Sequence, residues 1–213
     1  NSLLALILTI QKKLALPILY VSHALEELQQ VCDKLLVLSQ GKVVGYDDIH
    51  AMIHQLNYSD ISAGAGTAQD NNINKLIHKQ TSLSLPLKTT NNGQGLAILA
   101  LNDHNDIYLP ALNENITVSL LRCFILANDI SISLTEPVNS SIVNRLLVTI
   151  RSIDTINNTV LITTICRSEL MAKKIAQEFF VNISAFSQQK LALKVNQQVY
   201  LQFKASAVRT CLY

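Results

Sequence analysis

Tryptophan is absent from the 213 residues, aromatics make up only 5% of them and charged residues only 15%. The net charge is +2 and the lysines and arginines are scattered. No basic stripe interleaved with aromatics exists, so nucleic-acid binding has no support. The cysteines Cys32, Cys123, Cys166 and Cys211 form no CxxC pair. They lie far apart in apolar surroundings and read as buried reduced thiols, not as a disulfide or a metal site. No apolar run reaches the ~18 residues that would cross a bilayer. SLLALILTI near the start gives way to Gln11-Lys12-Lys13, with no basic region before it and no small-residue cleavage site after it, so it is not a signal peptide either. Asn-x-Ser/Thr triplets at Asn57, Asn115, Asn139, Asn157 and Asn182 arise by chance in a chain rich in Asn and Ser. Hydrophobic residues reach 49%, enough for a packed core.

The length allows one large domain or two small ones. Residues 2–15 predict a helix that is apolar nearly all round and packed on several sides. Pro17 stops it, and ILYVS (18–22) predicts a strand covered on both faces. A second helix follows over 24–32. KLLVLS (34–39), Gln40-Gly41 and KVVGY (42–46) then predict a hairpin. Asp47 is the expected N-cap of a helix through Leu56, with Ile49, Met52, Ile53 and Leu56 inward. Gly, Ala, Ser, Asn and Asp dominate residues 57–75 and mark a linker. Beyond about residue 81, short apolar runs alternate with turn signals such as Asn91-Asn92-Gly93 and Asn157-Asn158, the pattern of a sandwich or small barrel. SELMAKKIAQEF (168–179) has helical character, while FFVNIS (179–184) and LAL (191–193) read as short strands. Residues 1–56, 57–80 and 81–213 are thus an α/β piece, a linker and an all-β domain. The start at Asn1, inside an apolar helical pattern, reads as a cut end.

Ser22-His23 stands at the carboxyl end of the first expected strand, where ligands of open α/β sheets gather. Position alone favours a histidine that satisfies a local carbonyl. YVSHALEELQQVCDKLLVLSQGKVV, however, resembles the last part of the nucleotide-binding domain of ABC transporters. There a strand ends in the switch histidine, a helix closes on a D-[KR] pair (here Asp33-Lys34), and a hairpin of the type LVLxxGKVV follows. The resemblance covers residues 17 to about 56. It implies that His23 is catalytic, contacting the γ-phosphate of ATP and positioning the attacking water across a closed dimer. No GxxxxGK[ST], no LSGGQ-type signature and no apolar run ending in Asp-Glu occurs, and SAGAGTAQD (62–70) has no lysine. Nothing in this chain can cradle the β- and γ-phosphates, so it should not hydrolyse ATP alone. ATP and Mg are expected only in a full subunit.

NSSIVNRLLVTI and VYLQFKASAV bound a segment, 139–208, that resembles the Mop domain, an OB-like barrel of molybdate-binding proteins and of the tail of the molybdate importer ATPase. The family pattern S-A-R-N-x-L falls on Ser141 to Leu146, and I-K-A-S falls on Phe203 to Ser206. Asn182-Ile183-Ser184 with Ser187, and Leu191-Ala192-Leu193, occupy the pattern's middle. LLRCFILANDISISL (120–134) resembles the strand that precedes the Mop segment in that importer family. The resemblance implies molybdate or tungstate binding by Ser141, Asn144, Arg145, Lys204 and Ser206, hydroxyl, amide and cationic groups suited to a tetrahedral dianion. The family's arginine falls at Val143, and Arg145 shares its face only if strand register holds. RSELMAKKIAQE stands where the family has a short glycine hairpin.

Together the two resemblances imply part of a molybdate ABC importer's ATP-binding subunit. That subunit is a homodimer, bound to membrane permease subunits on the cytoplasmic side of a bacterial inner membrane, with a tail that senses oxyanion. The alternatives are a stand-alone Mop-type binding protein without ATPase activity, or an ATPase of another ABC importer for sulfate, iron or polyamine. His50 and His54 share a helix face, but Ala51 stands where HExxH needs Glu and no third ligand is evident.

Overall fold

Helix-forming Leu, Ala, Gln and Lys build α1, Ser2–Leu14, and Ala15 leaves it in the left-handed region at φ 49. The computed structural model describes residues 2–39, 41–49, 51–53, 55, 79–114, 116, 118–156, 159–167 and 176–210. The chain divides between His78 and Lys79 into two units, the second running to Arg209.

In the first unit Leu4 is buried, while Leu3, Leu6, Ile10 and Leu14 stay exposed, so α1 is not packed on several sides among the described residues. Residues 18–22 adopt no regular secondary structure and join no sheet, and Leu19 and Val21 are 92% and 86% exposed. The strand expected there is corrected for a simple reason. A strand exists only where a neighbour takes up its backbone N–H and C=O groups, and the unit's one described sheet is a hairpin paired with itself. The expected α/β piece is therefore, among the described residues, two helices, a further helical stretch and an antiparallel hairpin. α2, Leu25–Val31, starts behind Ser22, whose Oγ accepts from Ala24 N–H at 3.1 Å. Tyr20 and Ser22 hydroxyls both donate to Glu27 Oε2, at 3.1 and 3.0 Å. β1, Lys34–Ser39, turns through Gly41 at φ 75 into β2, Lys42–Asp48. Asp47, the expected N-cap, lies inside β2, and helical residues begin at 49. Ile49, Met52 and Ile53 bury against Leu28 and Leu35, as their spacing predicts. Leu56, His54, His50 and most of the expected linker lie outside the described residues.

The second unit is almost wholly β. β3 (Gln80–Thr89), β4 (Leu96–Ala100), β5 (Asp106–Pro110) and β6 (Leu120–Leu126) lead into a 3₁₀ turn, Ala127–Asp129, and β7 (Ser131–Ser133). β8 (Asn144–Ile156), β9 (Thr159–Arg167) and β10 (Ala176–Ser184) follow. α3 (Ala185–Leu191), β11 (Gln198–Phe203), a second 3₁₀ turn (Ala205–Ala207) and β12 (Arg209–Thr210) complete the chain's described elements. Two five-stranded sheets result, in the orders β12-β6-β3-β4-β5 and β7-β11-β8-β9-β10. Each is a three-stranded meander with a fourth strand returning beside the first. The fifth strand comes from the other half: β7 pairs with β11, and β12 lies beside β6.

Alternation drives this. Along β8, Asn144, Leu146, Val148 and Ile150 are buried, and along β11 so are Val199, Leu201 and Phe203, with more exposed residues between. Phe179 of β10 and Phe203 of β11 stack with ring centroids 6.4 Å apart. Strands three places apart in a flat sheet would lie about 14 Å apart, so the sheet curls until its inner face closes on itself. Both sheets bury their inner faces in one continuous core.

Two expectations are corrected. From Ala176 onward the segment read as helical is β10, because Phe179, Phe180 and Val181 are all buried in its ladder with β9; residues 168–175 lie outside the described set. LAL is not a strand. Ser184 caps α3 by accepting from Ser187 N–H at 3.0 Å, and Ala192 ends the helix at φ 47. Cys123 and Cys166 are buried and form no disulfide, and burial raises the pKa of Cys166.

Candidate functional site

The register of β8 with β11 builds one corner. Asn144, the first residue of β8, pairs with Phe203, the last of β11, and Arg145 pairs with Gln202. Facing residues of a ladder share a side of the sheet. Asn144 and Phe203 therefore point inward together, and Arg145 and Gln202 outward.

Asn144 is fully buried and holds the backbone of β5 in the other sheet. Tyr108 N–H donates to its Oδ1 at 2.7 Å, and its Nδ2 donates to Tyr108 C=O at 2.8 Å. The amide thus imitates a strand neighbour and fastens the two sheets. The sequence suggested Asn144 as a ligand; the structure places it under the corner, bonded to Tyr108.

The other suggested residues lie on the outside. Val143 is 40% exposed and Arg145 exposed, on either side of buried Asn144, and Val143 lies just before β8 begins. Arg145 Nη1 donates to Pro137 C=O at 2.6 Å, which steadies the guanidinium above the sheet end. Lys204 follows Phe203 in extended conformation, φ −69 and ψ 151, and is exposed. It lies one residue past the last pair of the ladder, Asn144 with Phe203. Ser206 is exposed on the second 3₁₀ turn, held by Ala207 N–H donating to Lys204 C=O at 3.0 Å. Ser141 is exposed in the segment that enters β8. Ser141, Arg145, Lys204 and Ser206 are thus all exposed at or next to the paired ends of β8 and β11, with exposed Glu136 beside Pro137. Such a set can accept a tetrahedral dianion by charge-assisted hydrogen bonds.

His23 is exposed in the bend before α2. Among the described residues no group of three or more His, Cys, Asp or Glu side chains is placed to hold a metal ion. No helix among them is long and apolar enough to cross a membrane. Sequence reasoning missed Tyr108, whose part is played by its backbone. It also missed Thr81, whose Oγ1 accepts from Phe180 N–H at 3.0 Å. The one available signal was a recurring Ala-x-x-[Ile/Val] after an apolar strand, at Ala127–Ile130 and Ala205–Val208.

Comparison with known proteins finds distant similarity over most of the chain. The molybdenum import ATP-binding protein ModC of Haemophilus ducreyi is 31% identical over 190 residues, 89% of this chain and 48% of that protein. Its counterpart in Pasteurella multocida is 29% identical over 209 residues, 98% of this chain and 53% of that protein. The one in Saccharophagus degradans is 30% identical over 204 residues, 93% and 50% respectively. The chain spans about half the length of these curated relatives. Among solved structures, the cytoplasmic molybdate-binding protein ModG with molybdate bound aligns with a TM-score of 0.48 at 15% identity, covering 63% of this chain and 95% of that one. No protein-family profile matches the chain.

Proposed function

We propose that the second unit is an oxyanion-binding module of the molybdate class, and that it binds without any ATPase activity of its own. The observation that carries this is the outward-facing Arg145 and Lys204, flanked by Ser141 and Ser206, at one end of the β8–β11 ladder. The relatives' names, which refer to molybdenum import, support molybdate as the anion. Calorimetric titration of the whole chain with molybdate, with sulfate as control, tests it. Saturable molybdate binding that sulfate matches only weakly is the expected result. Absence of heat with molybdate, in a folded sample, would overturn the proposal.

A second reading is favoured by one observation: similarity to import ATP-binding proteins extends over 98% of the chain, not over the β unit alone. On that reading these residues are the later part of an importer's ATP-binding subunit. The subunit would pair with a second copy and with permease subunits at the cytoplasmic side of a bacterial inner membrane. His23 would then face the γ-phosphate of ATP held with Mg by a cradle on another segment. In a chain joining these residues to the phosphate-cradling half of a relative, His23→Ala is expected to remove most ATP turnover and leave molybdate binding intact. Unchanged turnover would count against this reading and leave the oxyanion module standing.

A further inference from the structure

The two sheets of the second unit are built on one plan, and the plan can be read residue by residue. In the first half Thr81 pairs with Ile125; in the second Asn144 pairs with Phe203. Each paired residue is followed by a 3₁₀ turn, capped by Leu126 in one half and by Lys204 in the other. Thr81 and Asn144 also do the same work: each accepts, through a buried side chain, a backbone N–H from the third meander strand of the opposite half. The halves therefore offer two equivalent corners. Position by position, Ser82 stands for Arg145, Leu126 for Lys204, Asn128 for Ser206 and Asp129 for Ala207.

Those exchanges reverse the electrostatics. The outward cations of the second corner become a serine and a leucine in the first. Asp129 adds an exposed carboxylate, which repels an anion at close range. Asn128 is committed to Asn182, whose Nδ2 donates to its Oδ1 at 2.9 Å, a bond that joins the turn to β10. Lys79, one cation of that half, is buried, and its carbonyl accepts from Ala127 N–H at 2.8 Å.

Resting on the oxyanion reading above, we infer that the two corners, equivalent in the fold, have divided the work. Both fasten the halves together; the second also takes one tetrahedral oxyanion, and the first takes none. Equilibrium dialysis of the whole chain against molybdate counts the sites, with circular dichroism to verify folding. One molybdate per chain is expected. Lys204→Leu, at an exposed position, is expected to weaken binding about tenfold to hundredfold, the worth of one charge-assisted hydrogen bond. Asn128→Ala is expected to leave binding unchanged. Two molybdates per chain, or wild-type affinity in Lys204→Leu, or loss of binding in Asn128→Ala, would overturn the division while leaving the oxyanion reading in place. No bound molybdate in the wild-type chain would overturn both.

Discussion

Asn144→Ala is expected to lower the unfolding free energy of the second unit by about 2–5 kcal/mol. The substitution strands the N–H and the C=O of Tyr108 beneath the junction of the two sheets. A buried polar group left without its partner costs about 1–3 kcal/mol, and here two are left at once. No water can be assumed to replace the amide, because the position is fully buried. Thr81→Val supplies the comparison. It removes one acceptor at the equivalent position and leaves a single N–H, that of Phe180, so about half the effect is expected. Urea unfolding followed by hydrogen exchange at the Tyr108 and Phe180 amides separates the two cases. A loss under about 1 kcal/mol in Asn144→Ala would mean that the sheets are fastened elsewhere.

Phe203→Ala is expected to cost about 3–5 kcal/mol, the range for emptying an aromatic site in a core. The ring stacks on Phe179 at an interplanar angle of 28° and shares a ladder step with Asn144. Its loss opens a cavity where the curled sheet closes and loosens the register that carries Lys204. Phe203→Leu keeps much of the volume and is expected to cost under about 1.5 kcal/mol. Urea unfolding of the three proteins decides it. Similar losses in both variants would show that shape at this site matters less than the curl of the backbone around it.

Much of the β unit was legible because its strands obey period two and its turns carry Asn-Gly or paired asparagines. Asn92 shows why: its Oδ1 accepts from Gln94 and Leu96 N–H, closing the turn by local chemistry alone. The misreadings came where a tertiary partner decides. KKIAQEF has the spacing of a helix, yet its last four residues, Ala176–Phe179, pair with β9 and lengthen the strand that FFVNIS suggested. ILYVS has the composition of a buried strand, but composition supplies no neighbour. The doubling of the half-barrel was hidden because only burial repeats, not residue identity: Leu126 matches Lys204, and Thr81 matches Asn144. Of the suggested anion-binding residues, the exposed positions of Ser141, Arg145, Lys204 and Ser206 follow from alternation and turn chemistry. The inward turn of Asn144 follows from the same alternation, but its bond to Tyr108 does not.

The exchange of β7 and β12 sets an order of events as the chain leaves the ribosome. β3, β4, β5 and β6 can meet as soon as they emerge, since their connections are short. The outer edge of β6, however, waits for Arg209–Thr210, which are made after every other strand of the unit. Until then β6 presents open N–H and C=O groups, and β7 hangs without β11. Contacts so distant in sequence form slowly. An open edge held for that interval is an invitation to pair with another nascent chain. A half-barrel that meets its counterpart on a neighbouring chain has the same two strands to trade between molecules, the arrangement from which domain swapping starts.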